Sequence, residues 1–113
     1  MSAGYQDLFL EQGTSFSTTI TLDDVSSNPY NLTGFQAKSQ MKKSYYSANA
    51  TANFVVSITD AVNGTITIGL DSANSANILA GRYVYDVAIK DTSNNVTRVL
   101  EGTVNVIPSV TKF

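Results

Sequence analysis

Along most of this chain apolar and polar residues alternate with a period of two. Phe16, Thr18, Ile20 and Leu22 alternate with Ser17, Thr19 and Thr21. Phe35, Ala37, Ser39 and Met41 repeat the pattern, as do Phe54, Val56 and Ile58, and then Ile66, Ile68 and Leu70. Tyr83, Tyr85, Val87 and Ile89 alternate with Val84, Asp86, Ala88 and Lys90. This is the periodicity of strands with one buried face. A first strand is predicted over residues 5–12 and a last one over 96–107. The last run slips in phase between Leu100 and Val104, which predicts a β-bulge at Gly102.

The breaks between these runs are turn chemistry. Residues 23–29 combine Asx and Ser residues with Pro29, and residues 91–95 form a similar cluster. Asn63-Gly64 between two alternating runs predicts a tight hairpin with both turn residues at positive φ. Asp71 and Ser72 predict the cap of a short helix running to about Ala80, with Ala73, Ala76, Leu79 and Ala80 inward and Gly81 ending it. Residues 44–53 form a polar loop carrying Tyr45 and Tyr46. About seven short strands with turns at these spacings predict one antiparallel β-sandwich over residues 1–113, with tails at 1–4 and 109–113. The shared phase predicts a core of Phe16, Ile20, Phe35, Phe54, Ile58, Ile66, Ile68, Tyr85, Val87 and Val104.

Composition narrows the function. The 113 residues contain no cysteine and no histidine, so thiolate metal sites and the commonest general base are excluded. No catalytic residue, cofactor, small-molecule substrate or metal site is expected. Asp23-Asp24 is the one tight acidic pair; it reads as a solvated turn, with weak calcium binding as the alternative. A net charge of −2, with Lys42-Lys43 the only adjacent cations, argues against a nucleic-acid partner. No apolar run approaches the roughly 18 residues of a membrane span, and the start lacks a signal-peptide pattern, so no membrane partner is expected. Sequons at Asn31, Asn49, Asn63 and Asn95 are what an Asn- and Thr-rich composition produces.

Gly81-Arg82-Tyr83-Val84-Tyr85 matches the entry to the penultimate strand of immunoglobulin-like domains. There a corner tyrosine bonds upstream backbone, and the residue two positions on enters the core. Gly81 and Tyr83 are therefore expected to form a structural corner. Asp7-Leu8-Phe9-Leu10-Glu11-Gln12-Gly13 with Phe16, Tyr30-Asn31-Leu32-Thr33-Gly34, Leu79-Ala80-Gly81-Arg82-Tyr83, and Arg98 to Val104 before a proline together resemble tailed-phage virion proteins. The chain is similar to the N-terminal immunoglobulin-like domain of phage baseplate upper proteins and to small structural proteins of cyanophage-type myoviruses.

That resemblance covers nearly the whole chain and implies an immunoglobulin-like sandwich located in a virion. It implies a non-enzymatic assembly module in baseplate, neck, tail or capsid decoration, with other virion proteins as partners in many symmetric copies. Candidate contact residues are Tyr45, Tyr46, Val110 and Phe113, on a loop and a tail that cannot build a core of their own. The alternative reading is a carbohydrate-binding or host-surface adhesion module using the same exposed aromatic and amide side chains.

Overall fold

The computed structural model describes residues 4–23 and 28–111. The described residues form eight strands: β1 (Gly4–Tyr5), β2 (Leu8–Glu11), β3 (Phe16–Thr21), β4 (Gln36–Lys42), β5 (Ala52–Asp60), β6 (Thr65–Leu70), β7 (Gly81–Lys90) and β8 (Val96–Ile107). One short helix, α1 (Ser72–Ala76), precedes β7. The architecture is an all-β sandwich of immunoglobulin-like strand order.

The first sheet runs β1 and β2, then β8, β7, β4 and the start of β5. The second runs β5, β6 and β3. β5 belongs to both: Ala52, Asn53 and Phe54 pair with β4, and from Val55 onward the strand pairs with β6. Every neighbouring pair is antiparallel except β1 and β2, which run parallel to β8.

The core lies between the sheets. Phe54, Ile66, Ile68, Tyr85, Val87 and Val104 are buried there, as the alternation predicts. Phe16, Ile20, Phe35 and Ile58 are half-buried and pack against it. Three rings cross the interior: Phe16 and Tyr85 each sit with ring centroids 6.1 Å from Phe54. Such contacts add to the area buried by each ring.

Four local expectations need correction. The first strand is split at Gln6 and Asp7, where the Asp7 carboxylate accepts the Thr103 N–H (3.2 Å) and hydroxyl (2.7 Å) in place of main chain. Gly4, expected in the tail, pairs with Leu100. The bulge in β8 lies at Val99, between the pairs Val87–Leu100 and Ala88–Arg98, and not at Gly102. Val99 and Leu100 are consecutive and both buried, which is where the phase changes. The Asn63-Gly64 hairpin is present, but only Gly64 has positive φ, at 70°. The turn spans four residues, closed by the Gly64 N–H on the Ala61 carbonyl, with a register shift between Ile58 and Asp60.

The helix is also shorter than expected. Asp71 caps it by accepting the Asn74 N–H at 2.8 Å, but it ends at Ala76. Ala73, Ala76, Leu79 and Ala80 are exposed, and Ser75 and Ile78 point inward instead. Ser75 tolerates full burial because its hydroxyl donates to the Thr14 carbonyl (2.7 Å) and accepts the Gly13 N–H (3.1 Å). Two carbonyls just beyond the helix are taken by side chains: Ile78 by the Gln12 amide (2.7 Å) and Leu79 by the Tyr83 hydroxyl (2.7 Å). Gly81 does not cap the helix; it opens β7 at φ 148°, a conformation that favours glycine.

The Tyr83 contact spans four residues of chain and fixes the entry into β7. Lys43 lies over the same ring, its Nζ 5.3 Å from the centroid. Tyr83→Phe should cost about 0.5–1.5 kcal/mol in denaturant unfolding, the net worth of one hydrogen bond, with strand content unchanged in far-UV circular dichroism.

Gly102 faces inward opposite Tyr85. A Cβ there would overlap the Gln6 carbonyl oxygen and come within 3.2 Å of the Tyr85 ring. Gly102→Ala should therefore destabilise by about 1–3 kcal/mol, the cost of overpacking, read as a lower denaturant midpoint.

Candidate interaction surfaces

Strand directions sort the connections onto two ends of the sandwich. The turn at 12–15, the loop at 43–51, the segment around α1 and the tail from Pro108 lie at one end. The loop at 22–35 and the turns at 61–64 and 91–95 lie at the other. The structure thus brings the Tyr45–Tyr46 loop and the C-terminal tail to the same end. They leave from β4 and β8, two strands apart, with β8 running four residues past the position level with Lys42.

The 43–51 loop is shaped by its own serines. The Ser44 N–H donates to the Ser47 hydroxyl (3.2 Å), and the Tyr46 N–H donates to the Ser44 hydroxyl (3.3 Å). The Thr51 N–H closes the loop on the Met41 carbonyl at 2.7 Å. Tyr46 stands out into solvent at 97% exposure, with no ring neighbour among the described residues. Tyr45 leans back over the outer face of the first sheet, beside Gln40, Lys42, Val84 and Arg98. In the tail, the Ser109 N–H is held by the Gln12 side-chain oxygen at 3.4 Å, and Val110 is fully exposed. Phe113 lies outside the described residues, as does Asp24 of the acidic pair.

Gly81 and Tyr83 belong to the structural corner described above: Gly81 is exposed, and Tyr83 is only 3% exposed and contributes no free surface.

The alternation pattern does not reveal a second feature of the outer face. The Tyr5 pKa is raised, first by its side-chain interaction with the Asp7 carboxylate, and Tyr45 adds to the effect. Asp7 is held below the usual carboxylate range, first by the Thr103 hydroxyl and then by its N–H. Asp91 is lowered in the same way, by N–H donors of Asn95 and Ser93 and by the Asn95 amide. These carboxylates substitute for missing main-chain partners, so their shifts report turn and strand construction. Tyr5, at 65% exposure, and Phe9, also 65%, add two exposed aromatics along the β1–β2 border. The only available signal for them was their phase, opposite to that of Leu8 and Leu10.

The described cations Lys38, Lys42, Lys43, Arg82, Lys90 and Arg98 all lie on or beside β4, β7 and β8. Arg98 is paired with Asp86 (3.4 Å) and Glu101 (3.2 Å), both partly exposed, so each pair is worth little. The second sheet is different in kind. β3 and β6 carry no charged residue, and their outer faces present Ser17, Thr19, Thr21, Thr65 and Thr67. Thr19 and Thr67 share a hydroxyl contact at 3.3 Å, and Thr21 and Thr65 one at 3.4 Å.

Beneath the outer face, the Tyr85 hydroxyl donates to the Gln6 carbonyl at 2.6 Å. Burial, then the Asp7 carboxylate, then Tyr5 push its pKa up to about 12 from the ordinary 10.0. A pKa raised in the folded state means stability that is complete below pH 10 and is lost as pH rises towards 12. Denaturant unfolding across that window should show a steeper loss for the wild type than for Tyr85→Phe, which lacks the ionising group.

No protein-family profile matches the chain, and no curated protein matches it. Solved structures share its fold. The N-terminal domain of phage TP901-1 ORF48 superposes with a TM-score of 0.51 at 16% identity, over 96% of this chain and 99% of that one. CopC from Methylosinus trichosporium OB3b gives a TM-score of 0.49 at 11% identity, over 99% and 91%. The Listeria monocytogenes internalin-like protein lmo2027 gives 0.47 at 14% identity, over 95% of this chain but 28% of that protein. At 16% identity the likeness to the phage TP901-1 domain is one of fold alone.

Proposed function

We propose that the chain is a non-enzymatic structural component of a tailed-phage virion, acting as a protein–protein assembly module. The carrying observation is the exposed Tyr45–Tyr46 pair, set on a self-braced loop at the same end as the fully exposed Val110. Tyrosine offers large contact area at low entropic cost and keeps a polar handle, which is why it recurs at interface centres. The fold shared with the phage TP901-1 domain supports the particle context. The absence of histidine and cysteine from the sequence supports a role without catalysis, cofactor or small-molecule substrate.

On this reading the partners are other virion proteins, present in symmetric copies and touching the end that carries Tyr46 and the tail. On the same reading its place in the particle is baseplate, neck, tail or capsid decoration, and neither nucleic acid nor membrane is a partner.

Changing Tyr45 and Tyr46 together to Ala should leave unfolding within about 0.5 kcal/mol of wild type, as for other exposed substitutions. Particles assembled with this variant should carry it at reduced occupancy, measured by mass spectrometry of purified virions. Wild-type occupancy would overturn the reading. Loss of binding on a glycan array in the same variant would favour a carbohydrate-binding module instead.

A further inference from the structure

β3 is an edge strand, paired with β6 on one side and with no described strand on the other. Edge strands expose a row of main-chain donors and acceptors, and proteins protect them with charges, prolines, bulges or interruptions. The other open edges here are protected. The β1–β2 border is interrupted and carries Asp7 and Glu11; β5 has a register shift and Asp60; the part of β4 that β5 leaves unpaired carries Lys38. β3 has none of these: Phe16-Ser17-Thr18-Thr19-Ile20-Thr21 is uncharged, free of proline, and pairs with β6 without a register shift.

We propose that β3 is a self-pairing edge, which joins two copies of this chain through an antiparallel β3–β3 contact about a two-fold axis. The axis stands perpendicular to the sheet, so each copy's core side remains on the core side. With Thr18 on the axis, Phe16 of one copy lies opposite Ile20 of the other, twice over. Those two are the half-buried apolar residues of this strand, and the pairing covers both. On the outer face Ser17 meets Thr19, which extends the hydroxyl contacts already made between Thr19 and Thr67. No like charges meet, since the strand has none. The two three-stranded sheets become one six-stranded sheet. This pairing goes beyond the assembly reading and does not rest on residence in a particle.

The test uses the purified full chain. Sedimentation velocity should show a concentration-dependent monomer–dimer equilibrium. Thr18→Lys places two ammonium groups on the axis and should weaken dimerisation at least about tenfold. Its thermal unfolding as a monomer checks that it folds.

Since the chain has no cysteine, single-cysteine variants report the register independently. Residues directly opposite in a strand pair lie about 4.5–5.5 Å apart at Cβ, near disulfide range. Under mild oxidation Thr18→Cys should form a disulfide dimer at least about tenfold faster than Val62→Cys, which sits on the exposed turn between β5 and β6, outside the proposed β3–β3 contact. A chain that stays monomeric up to about 1 mM overturns the proposal. So does a dimer that Thr18→Lys leaves intact, or a Thr18→Cys variant that oxidises no faster than Val62→Cys. If tyrosine-dependent incorporation into particles persists in any of these cases, only the self-pairing fails.

Discussion

The sandwich is closed on one side by a contact that only glycine permits. Tyr85 comes in from β7, Gln6 comes in from the break between β1 and β2, and both need the space beside Gly102 on β8. The Tyr85 hydroxyl then finds the Gln6 carbonyl, so the buried polar atom is satisfied by the same approach that fills the void. Two parallel strand segments, β1 and β2, depend on this junction for their register against β8. Leu8 and Leu10 are buried by it, at 3% and 1% exposure, and they complete the core.

The same closure explains where free bonding capacity remains. Along β8 the hydrogen bonds are taken on both sides, by β7 and by the N-terminal segment. Sidechain-to-mainchain bonds from Gln12, Ser75, Asp7 and Tyr83 satisfy the irregular backbone at the borders. What is left lies at the periphery: the outer edge of β3, the Tyr45–Tyr46 loop and the tail. A frame whose polar groups are internally satisfied cannot readily rearrange on contact, so partners meet a preformed surface. Charge follows the same division, with the described cations gathered around the first sheet and an uncharged hydroxyl face on β3 and β6.

Much of this was legible in the sequence because period-two alternation reports burial directly. β3, β6 and β7 follow their patterns residue by residue, and the Asn63-Gly64 signal located its hairpin. Gly81 and Tyr83 were legible because the spacing from turn to tyrosine is itself a geometric requirement. Several of the misses depend on a contact distant in the chain. Gly102 looked like a bulge because alternation cannot reveal that residue 6 approaches residue 102; the true bulge at Val99 is hidden, since two consecutive apolar residues are equally consistent with an unbroken strand. α1 was drawn too long and turned the wrong way because Ser75 is polar, and only Thr14 and Gly13, 61 and 62 residues away, make its burial favourable. Alternation places Phe9 on the face opposite Leu8 and Leu10, but the exposed border that it forms with Tyr5 is created by the parallel pairing with β8. The loop tyrosines were visible as residue types, but their shared end with the tail follows from strand directions that no local pattern carries.

The central claim is that the N-terminal segment is an integral, closing part of the sandwich and not an appended strand. Amide hydrogen exchange on the native chain tests it most directly. The account predicts that hydrogen-bonded amides of Leu8–Glu11 and of β8 exchange only through global unfolding, with the same free energy as those of β6 and β7. Exchange of residues 8–11 at a markedly lower free energy, while β6 and β7 stay protected, would contradict it.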